Sequence, residues 1–437
     1  MKRKIEVSLH EWNKQRKPLP LMLIGARQTG KTYILDYFCK KNFDSIIHLN
    51  FFENDDFATF FQHSLNVETI LANMELYFGK KIEVEKTIFF FDEIQECEAA
   101  IASLKFFAEA DAPFKIVTAG SLLGVKLKRM KMPFPVGKVQ LEYLYPMDFE
   151  EFLWAIGEKN LAEKIREHFI SNSAFPEIIH KKALHLYRNY ICIGGMPASI
   201  KNFVENQKDL LLTDLHIKDN IITGYLSDMA KYAGTVDTVK IHQIYRSMPA
   251  QLAKPQTKFM YKIVEKGSNT EKYQTAIDWL LEAGMLLRCN LVNNIQSPLG
   301  AFTVDNFFKL YLSDVGILTT LAKIKYHEIM QPDNMIFLGF LTENYVAQEF
   351  TSAKIDLHYW NSGNKAEIDY VVNLNDGIVP IEVKSARNTG SKSLNAYVEK
   401  YKPRYSIRIS QKNFGFENNI KSTPLYATFC IKMLNAL

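Results

Sequence analysis

Gly25-Ala26-Arg27-Gln28-Thr29-Gly30-Lys31-Thr32 has the spacing G-x-x-x-x-G-K-[ST]. The apolar run Leu19 to Ile24 precedes it and reads as a buried strand. Thr32 to Lys40 follows with apolar residues at helical spacing. Strand, glycine loop and helix in that order make a phosphate-binding loop. Its two glycines let the backbone wrap a polyphosphate and turn N–H groups toward the oxygens. The helix adds the positive end of its dipole. Lys31 can reach the β- and γ-phosphates, and the Thr32 hydroxyl can hold Mg²⁺. The expected nucleotide-binding residues are Gly25, Ala26, Arg27, Gln28, Thr29, Gly30, Lys31, Thr32 and Tyr33.

Thr87-Ile-Phe-Phe-Phe91 is a continuous apolar run, as a central parallel strand should be, and it ends in Asp92-Glu93. An acid at the carboxyl end of such a strand faces the crevice where open α/β sheets bind ligands. Asp92 is expected to share Mg²⁺ with Thr32, and Glu93 to act as general base toward the attacking water. The competing reading is a helix N-cap with acids in the first turn. A phosphate loop upstream favours the metal-binding one. Phe114 to Thr118 reads as a third strand, ending at Ala119-Gly120-Ser121. Ser121 is either a sensor of the γ-phosphate that orients water or the cap of the next helix. Ser45 to Asn50 supplies a further strand. The order of these pieces indicates a doubly wound parallel sheet.

A chain of 437 residues exceeds one core, so two to four domains are expected. Net charge is +5, compatible with nucleic acid but no evidence for it. Cys39, Cys97, Cys192, Cys289 and Cys430 show no paired spacing and read as reduced thiols of a cytoplasmic protein. No signal peptide is visible, and no run approaches the length of a membrane span. The N-K-x-D pattern that reads guanine is absent, so ATP with Mg²⁺ is the expected ligand.

Asp148 to Glu205 is helical in pattern, broken at Gly194-Gly195-Met196-Pro197. Asp148 to Phe152 mixes acids with aromatics and reads as a packed surface helix. The glycine–proline break is either a hinge or a plain turn. Val236 to Leu291 has a winged-helix pattern. Ser268-Asn-Thr-Glu271 reads as a capping box. The helix behind it puts Tyr273, Ala276, Ile277, Leu280 and Leu281 on one face. Gly284 ends that helix, and Met285 to Leu291 reads as a wing strand. Lys254, Lys258, Lys262 and Lys266 fall four apart. Were that stretch helical, they would form either a basic stripe for DNA or a solvated face, with Pro255 leaving Lys254 outside.

Near the carboxyl end, Tyr370 to Asn373 and Val379 to Lys384 read as two strands of a hairpin. Alternation places Glu382 and Lys384 on one face, and the hairpin can bring Asp369 alongside. Two carboxylates can bind Mg²⁺, and a lysine can hold the attacking water.

These motifs give the chain a resemblance to the archaeal and bacterial AAA-like ATPases of the AAA+ superfamily. In those proteins the C-terminal part is a domain of unknown function related to PD-(D/E)XK nucleases. The matching residues are Gly25-Ala-Arg-Gln-x-Gly-Lys-Thr32, Phe91-Asp-Glu-Ile-Gln95, Gly120-Ser121, Pro146-Met-Asp-Phe-Glu-Glu-Phe152, Gly194-Gly-Met-Pro197 and Asp314-Val-Gly316. Most specific is the set Gly339-Phe-Leu-x-Glu-Asn344, Glu367-Ile-Asp369 and Pro380-Ile-Glu-Val-Lys384.

The resemblance implies an α/β chain: a doubly wound P-loop NTPase core over 1–155, a helical lid over 156–205, a helical, winged-helix-like domain over 206–325, and a restriction-endonuclease-like domain over 326–437. It places the sensor Ser121 on the strand between the two nucleotide-binding strands. It adds Glu343 to Asp369, Glu382 and Lys384 as a nuclease-type metal site, with cutting and a degenerate binding groove both left open. One departure is Gly137-Lys138, where the family shows Gly-Arg. Lysine lacks the planar fork that bridges phosphate oxygens, so Lys138 gives a point charge or Arg27 or Arg129 takes the role.

The expected function is an Mg²⁺-dependent ATP hydrolase acting on nucleic acid or a partner protein through its C-terminal domain. The alternative is a nucleotide-regulated binding switch with little turnover. DNA, a partner protein and further copies of the chain are the candidate partners; no membrane is expected.

Overall fold

The computed structural model describes residues 1–437 except 122–129, 131, 234, 255–257, 331–334, 364–365, 386–391 and 436–437. It divides into two compact units. One is Lys2–Tyr145 with Glu282–Gly284; the other is Pro146–Leu281 with Met285–Leu437 and Met1.

The first unit is built on five parallel strands: β1 (Leu21–Ile24), β2 (Ser45–Asn50), β3 (Thr87–Asp92), β4 (Lys115–Ala119) and β5 (Gln140–Tyr143). Their order is β2-β3-β4-β1-β5. Side chains alternate between the faces of such a sheet. Ile88 and Phe90 of β3 join Leu21, Leu23 and Val117 against α1 (Ile5–Lys14) and α2 (Lys31–Asn42). Phe89 and Phe91 join Met22, Ile47 and Ile116 on the opposite face, against α3 (Thr59–Gln62), α4 (Val67–Phe78) and α5 (Glu98–Glu109). Both faces are covered, so the strands read as unbroken apolar runs. The doubly wound parallel sheet is thus present, with β4 between β1 and β3.

The second unit opens with α6 (Phe149–Ala155), α7 (Lys159–Ser171), α8 (Glu177–Ile193) and α9 (Pro197–Glu205). Its first helix is not a surface element. Asp148, Glu150 and Glu151 are all buried. Asp148 and Glu151 form a reciprocal capping box, and Glu150 pairs with Arg166 at 2.5 Å. The acids are spent on the helix end and on an arginine rather than on solvent.

Next come α10 (His216–Tyr232), α11 (Thr235–Leu252), α12 (Tyr261–Val264) and α13 (Thr270–Glu282), then the antiparallel strands β6 (Leu286–Val292) and β7 (Thr303–Leu312). The lysine stripe does not form. Lys254 lies beyond the end of α11, and Lys258 and Lys266 lie outside the one-turn α12. Asn269, not Ser268, caps α13 by accepting the Lys272 N–H at 3.2 Å. The Ser268 hydroxyl instead closes the preceding turn onto the Tyr261 and Glu265 carbonyls. On α13 the buried face contains Trp279, while Leu281 is only half-buried. Asn269→Ala should cost about 1 kcal/mol, read as a lower urea midpoint at unchanged slope.

The chain continues through α14 (Val315–Leu321), α15 (Tyr326–Met330) and α16 (Met335–Ser352). Strands β8 (His358–Asn361), β9 (Glu367–Ile368), β10 (Tyr370–Leu374) and β11 (Gly377–Val383) follow. Helix α17 (Lys392–Tyr401) then leads to β12 (Ser406–Ser410), β13 (Gly415–Glu417), β14 (Ile420–Pro424) and a closing 3₁₀ stretch. One sheet runs β10-β11-β12-β14-β13 and the other β7-β6-β8-β9. Strand β6 pairs with β8 in parallel, Asn290 opposite His358, so one sheet draws on residues before and after position 325. Val292, Leu299, Trp360, Ile368 and Tyr397 pack together beneath it. Among the described residues no helix is long and apolar enough to cross a membrane.

Candidate functional site

The phosphate loop leaves the tip of β1 at Gly25. A Cβ there would sit 2.2 Å from the Leu144 carbonyl oxygen, so only glycine fits. Leu144 is held in place by its own N–H, which donates to the Ile24 carbonyl at 2.7 Å. Gln28 adopts φ 65°, and Gly30, at φ 92°, starts α2. Ala26 and Thr29 are buried, whereas Arg27, Gln28, Thr32 and Tyr33 face solvent. The Thr29 hydroxyl donates to the Ala26 carbonyl at 2.9 Å. Lys31 curls back over the loop, its Nζ 2.9 Å from the Gly25 oxygen and 2.8 Å from the Ala26 oxygen.

Arg3, which sequence reading missed, anchors this loop. It donates to the Thr29 carbonyl at 3.0 Å and the Tyr145 carbonyl at 2.7 Å. Its only signal was position: an arginine just ahead of the first helix, with both acceptors far along the chain.

Asp92 ends β3 next to the start of α2. Its Oδ1 accepts the Thr32 hydroxyl at 3.0 Å and the Glu93 N–H at 3.0 Å. His48 on neighbouring β2 brings Nε2 to 3.9 Å from Oδ2 and stacks on Phe90. Glu93 takes the left-handed backbone conformation, φ 49°, uncommon for a side chain of this size. Such strain persists where surrounding contacts enforce it, and it clusters at functional sites. Its carboxylate is held by Gln95 Nε2 and by the Ser121 hydroxyl, at 3.3 Å, both donating to Glu93 Oε2. Ser121 therefore touches the expected base. The stretch that follows it, with Arg129, lies outside the described residues. Lys138 forms a half-exposed ion pair with Glu109 at 3.0 Å.

The loop's backbone amides, a lysine with three donors, and a hydroxyl facing a carboxylate make a donor set suited to a polyphosphate and Mg²⁺. Residues 17–153 match the family model of the AAA domain. The first unit has the fold of an AAA-type P-loop ATPase. Residues 184–328 match a domain of unknown function (DUF8612), and residues 338–428 match another (DUF4143). No curated protein matches the chain. Among solved structures it is similar to a Walker-type ATPase of Pyrococcus abyssi, at 17% identity and TM-score 0.43, over 74% of this chain and 94% of that one. Similarity extends to the ORC2 protein of Aeropyrum pernix, at 12% identity and TM-score 0.38, over 75% and 91%. The RuvB Holliday junction branch migration motor of Thermotoga maritima is similar at 16% identity and TM-score 0.30, over 65% and 87%.

The second unit carries the other cluster. Strands β10 and β11 form an antiparallel hairpin, and Asp369, just before it, accepts the Val383 N–H at 2.7 Å. Buried Glu382 on β11 has Lys384 at 3.2 Å and Arg408 at 3.4 Å, Arg408 being its register partner on β12. Glu343 on α16 accepts the Tyr311 hydroxyl at 3.2 Å. Lys309 on β7 is 0% exposed. Its Nζ lies 2.6 Å from Glu367 Oε1 and 3.9 Å from Glu343 Oε2. Burial, with the Glu343 charge adding to it, pushes the Asp369 carboxyl up to about 7. Burial works against the Lys309 ammonium, but Glu343, Glu367 and Asp369 outweigh it and hold that group above its usual range. Among the described residues no three His, Cys, Asp or Glu side chains are arranged to hold a metal ion. Sequence reading missed Lys309 and Arg408. The signal was there for Lys309: a single charge inside the apolar half of a strand, Phe307-Phe-Lys-Leu-Tyr-Leu312.

Proposed function

We propose that this protein is an ATP hydrolase whose second unit delivers the effect of turnover to a nucleic acid or a partner protein. The observation that carries the reading is the 3.0 Å contact of Thr32 with Asp92 beside a phosphate loop. Gly25 to Tyr33 would hold ATP, and Thr32 with Asp92 would hold Mg²⁺. That ion supplies charge neutralisation to the phosphate oxygens. Lys31 exchanges the Gly25 and Ala26 carbonyls for phosphate oxygens, so its donors are satisfied before and after binding. Glu93 takes the proton of the attacking water, and Gln95 and Ser121 fix its carboxylate.

Ser121→Ala separates this role from a helix cap. Turnover should fall roughly ten- to hundredfold, the worth of a hydrogen bond to a charged group, with ATP affinity little changed. A cap would show lower stability and unaltered turnover. Phosphate release with and without DNA tests the partner: stimulation supports a nucleic-acid role, and an unaltered rate directs attention to a protein.

The order helix–four strands–helix–strand from α16 to β12 supports a restriction-endonuclease-like core in the second unit. Helices α11 to α13 with the β6–β7 hairpin support a winged helix. Five buried cysteines outside any disulfide suit a cytoplasmic setting. One observation favours a switch with little turnover: Lys138, standing where the family has arginine, is engaged with Glu109. Tight ATP binding without phosphate release, with assembly of copies on a sizing column, supports that second reading.

A further inference from the structure

We infer that Lys309 takes the place of a metal ion in the C-terminal centre: it is a fixed cation that neutralises Glu343 and Glu367 and keeps divalent ions out. A buried ammonium is costly unless paired. This one is fully buried, 2.6 Å from one carboxylate and 3.9 Å from a second. Its backbone is held in the β6–β7 pairing, Lys309 opposite Cys289, and its side chain is enclosed, with Phe308 and Leu310 also buried. The ring of Tyr359 lies 4.9 Å from Nζ and adds its negative face to the pocket.

Glu382 is matched in the same way, while Asp369 accepts the Val383 N–H. Glu382 has Lys384 on one oxygen and Arg408 on the other. Mg²⁺ requires near-octahedral oxygen ligands with lone pairs to give. Here the oxygens of Glu343, Glu367 and Glu382 already serve protein cations, and an incoming divalent ion would meet like charge in a poorly screened interior. The donor set does not fit a metal. The resemblance to a nuclease then survives as architecture, with the charge balance of a metal site kept and its chemistry gone. This holds whether or not the first unit hydrolyses ATP.

Mn²⁺ titration of the full chain, followed by the electron paramagnetic resonance of the free ion, tests it. All variants carry Asp92→Asn, which removes the contribution of the nucleotide site and separates the two readings. The parent should bind no Mn²⁺ at millimolar concentration, and Asp369→Asn or Glu382→Gln should change nothing. Lys309→Met should then acquire a site at least about tenfold tighter than the parent, because carboxylates are left without their cation. Adding Glu343→Gln should weaken that new site. Mn²⁺ bound by the parent and lost in Asp369→Asn or Glu382→Gln overturns the inference. So does a folded Lys309→Met that binds none. If Lys309→Met fails to fold by circular dichroism, the parent and its two carboxylate variants still decide.

Discussion

Lys31→Ala should remove measurable ATP binding, and Glu93→Gln should keep binding while turnover falls by about 10²–10⁴, the usual contribution of a positioned general base. The two differ because the two side chains act at different stages. Lys31 lies over the loop with its donors on the Gly25 and Ala26 carbonyls, poised to meet phosphate in the ground state and the transition state alike. Glu93 stands past the strand end, in a strained backbone conformation, with one oxygen held by Gln95 and Ser121. A glutamine there keeps the shape and loses the basicity. Calorimetry with ATP and Mg²⁺ reads the first effect, and phosphate release reads the second. Loss of binding in both would mean that Glu93 belongs to the nucleotide cradle rather than to water activation. No loss in Lys31→Ala would remove the ground for calling the loop a nucleotide site.

The first unit was legible because its sheet is parallel and covered on both faces. Such strands must be continuously apolar, and Thr87-Ile-Phe-Phe-Phe91 announces itself even to a short window. The acid at its end is equally visible, since a charge terminating an apolar run has few structural uses. Arg3, His48 and Gln95 were not legible as site residues. Arg3 and His48 reach their targets across the fold, and no local pattern marks a side chain whose partner lies in another element. In α13 the cap was misplaced by one residue because Ser268 and Asn269 can each cap a helix. Tertiary context chose, by drawing the serine hydroxyl into the turn behind it. The lysine stripe failed on length: four-residue spacing forms a face only along a helix, and α12 spans one turn. In the C-terminal centre the acids were found, but the residues that answer their charge were not. Arg408 sits on the strand beside Glu382, and Lys309 on a hairpin in a different sheet.

Gly194→Ala should destabilise the second unit by roughly 2–5 kcal/mol, the sum expected for a strained backbone and an overpacked contact. That corresponds to a fall in its melting temperature on the order of 10 °C. The Gly194–Pro197 break admits a hinge or a turn, and the structure distinguishes these by what surrounds it. Gly194 sits at φ 80°, ψ −172°, a region essentially confined to glycine. A Cβ there would lie 2.3 Å from Asp314 Oδ1 and 2.8 Å from the Gly316 Cα. At Gly195 it would lie 2.1 Å from the Met147 carbonyl oxygen.

The same spot is laced with buried hydrogen bonds. Asp314 accepts the Gly195 N–H and, at 2.9 Å, the Ile317 N–H. Tyr190 donates to the Met147 carbonyl and accepts from Gln348 at 2.7 Å. Gln348 accepts the Val315 N–H at 2.9 Å, Asn344 both donates to and accepts from the Leu312 backbone, and Glu349 accepts the Phe149 N–H at 2.8 Å. The motifs around Met147, Gly194, Asp314 and Asn344 are thus one knot of backbone and side chain, so their residues are fixed by packing rather than by chemistry. A knot of this kind resists bending, because each buried group would be left unpaired on moving. Gly300→Ala is the control: a Cβ at Gly300 meets nothing within 4 Å, and its effect should stay within about 0.5 kcal/mol. A hinge would behave in the opposite way, with Gly194→Ala leaving the melt of the second unit in place and altering turnover alone.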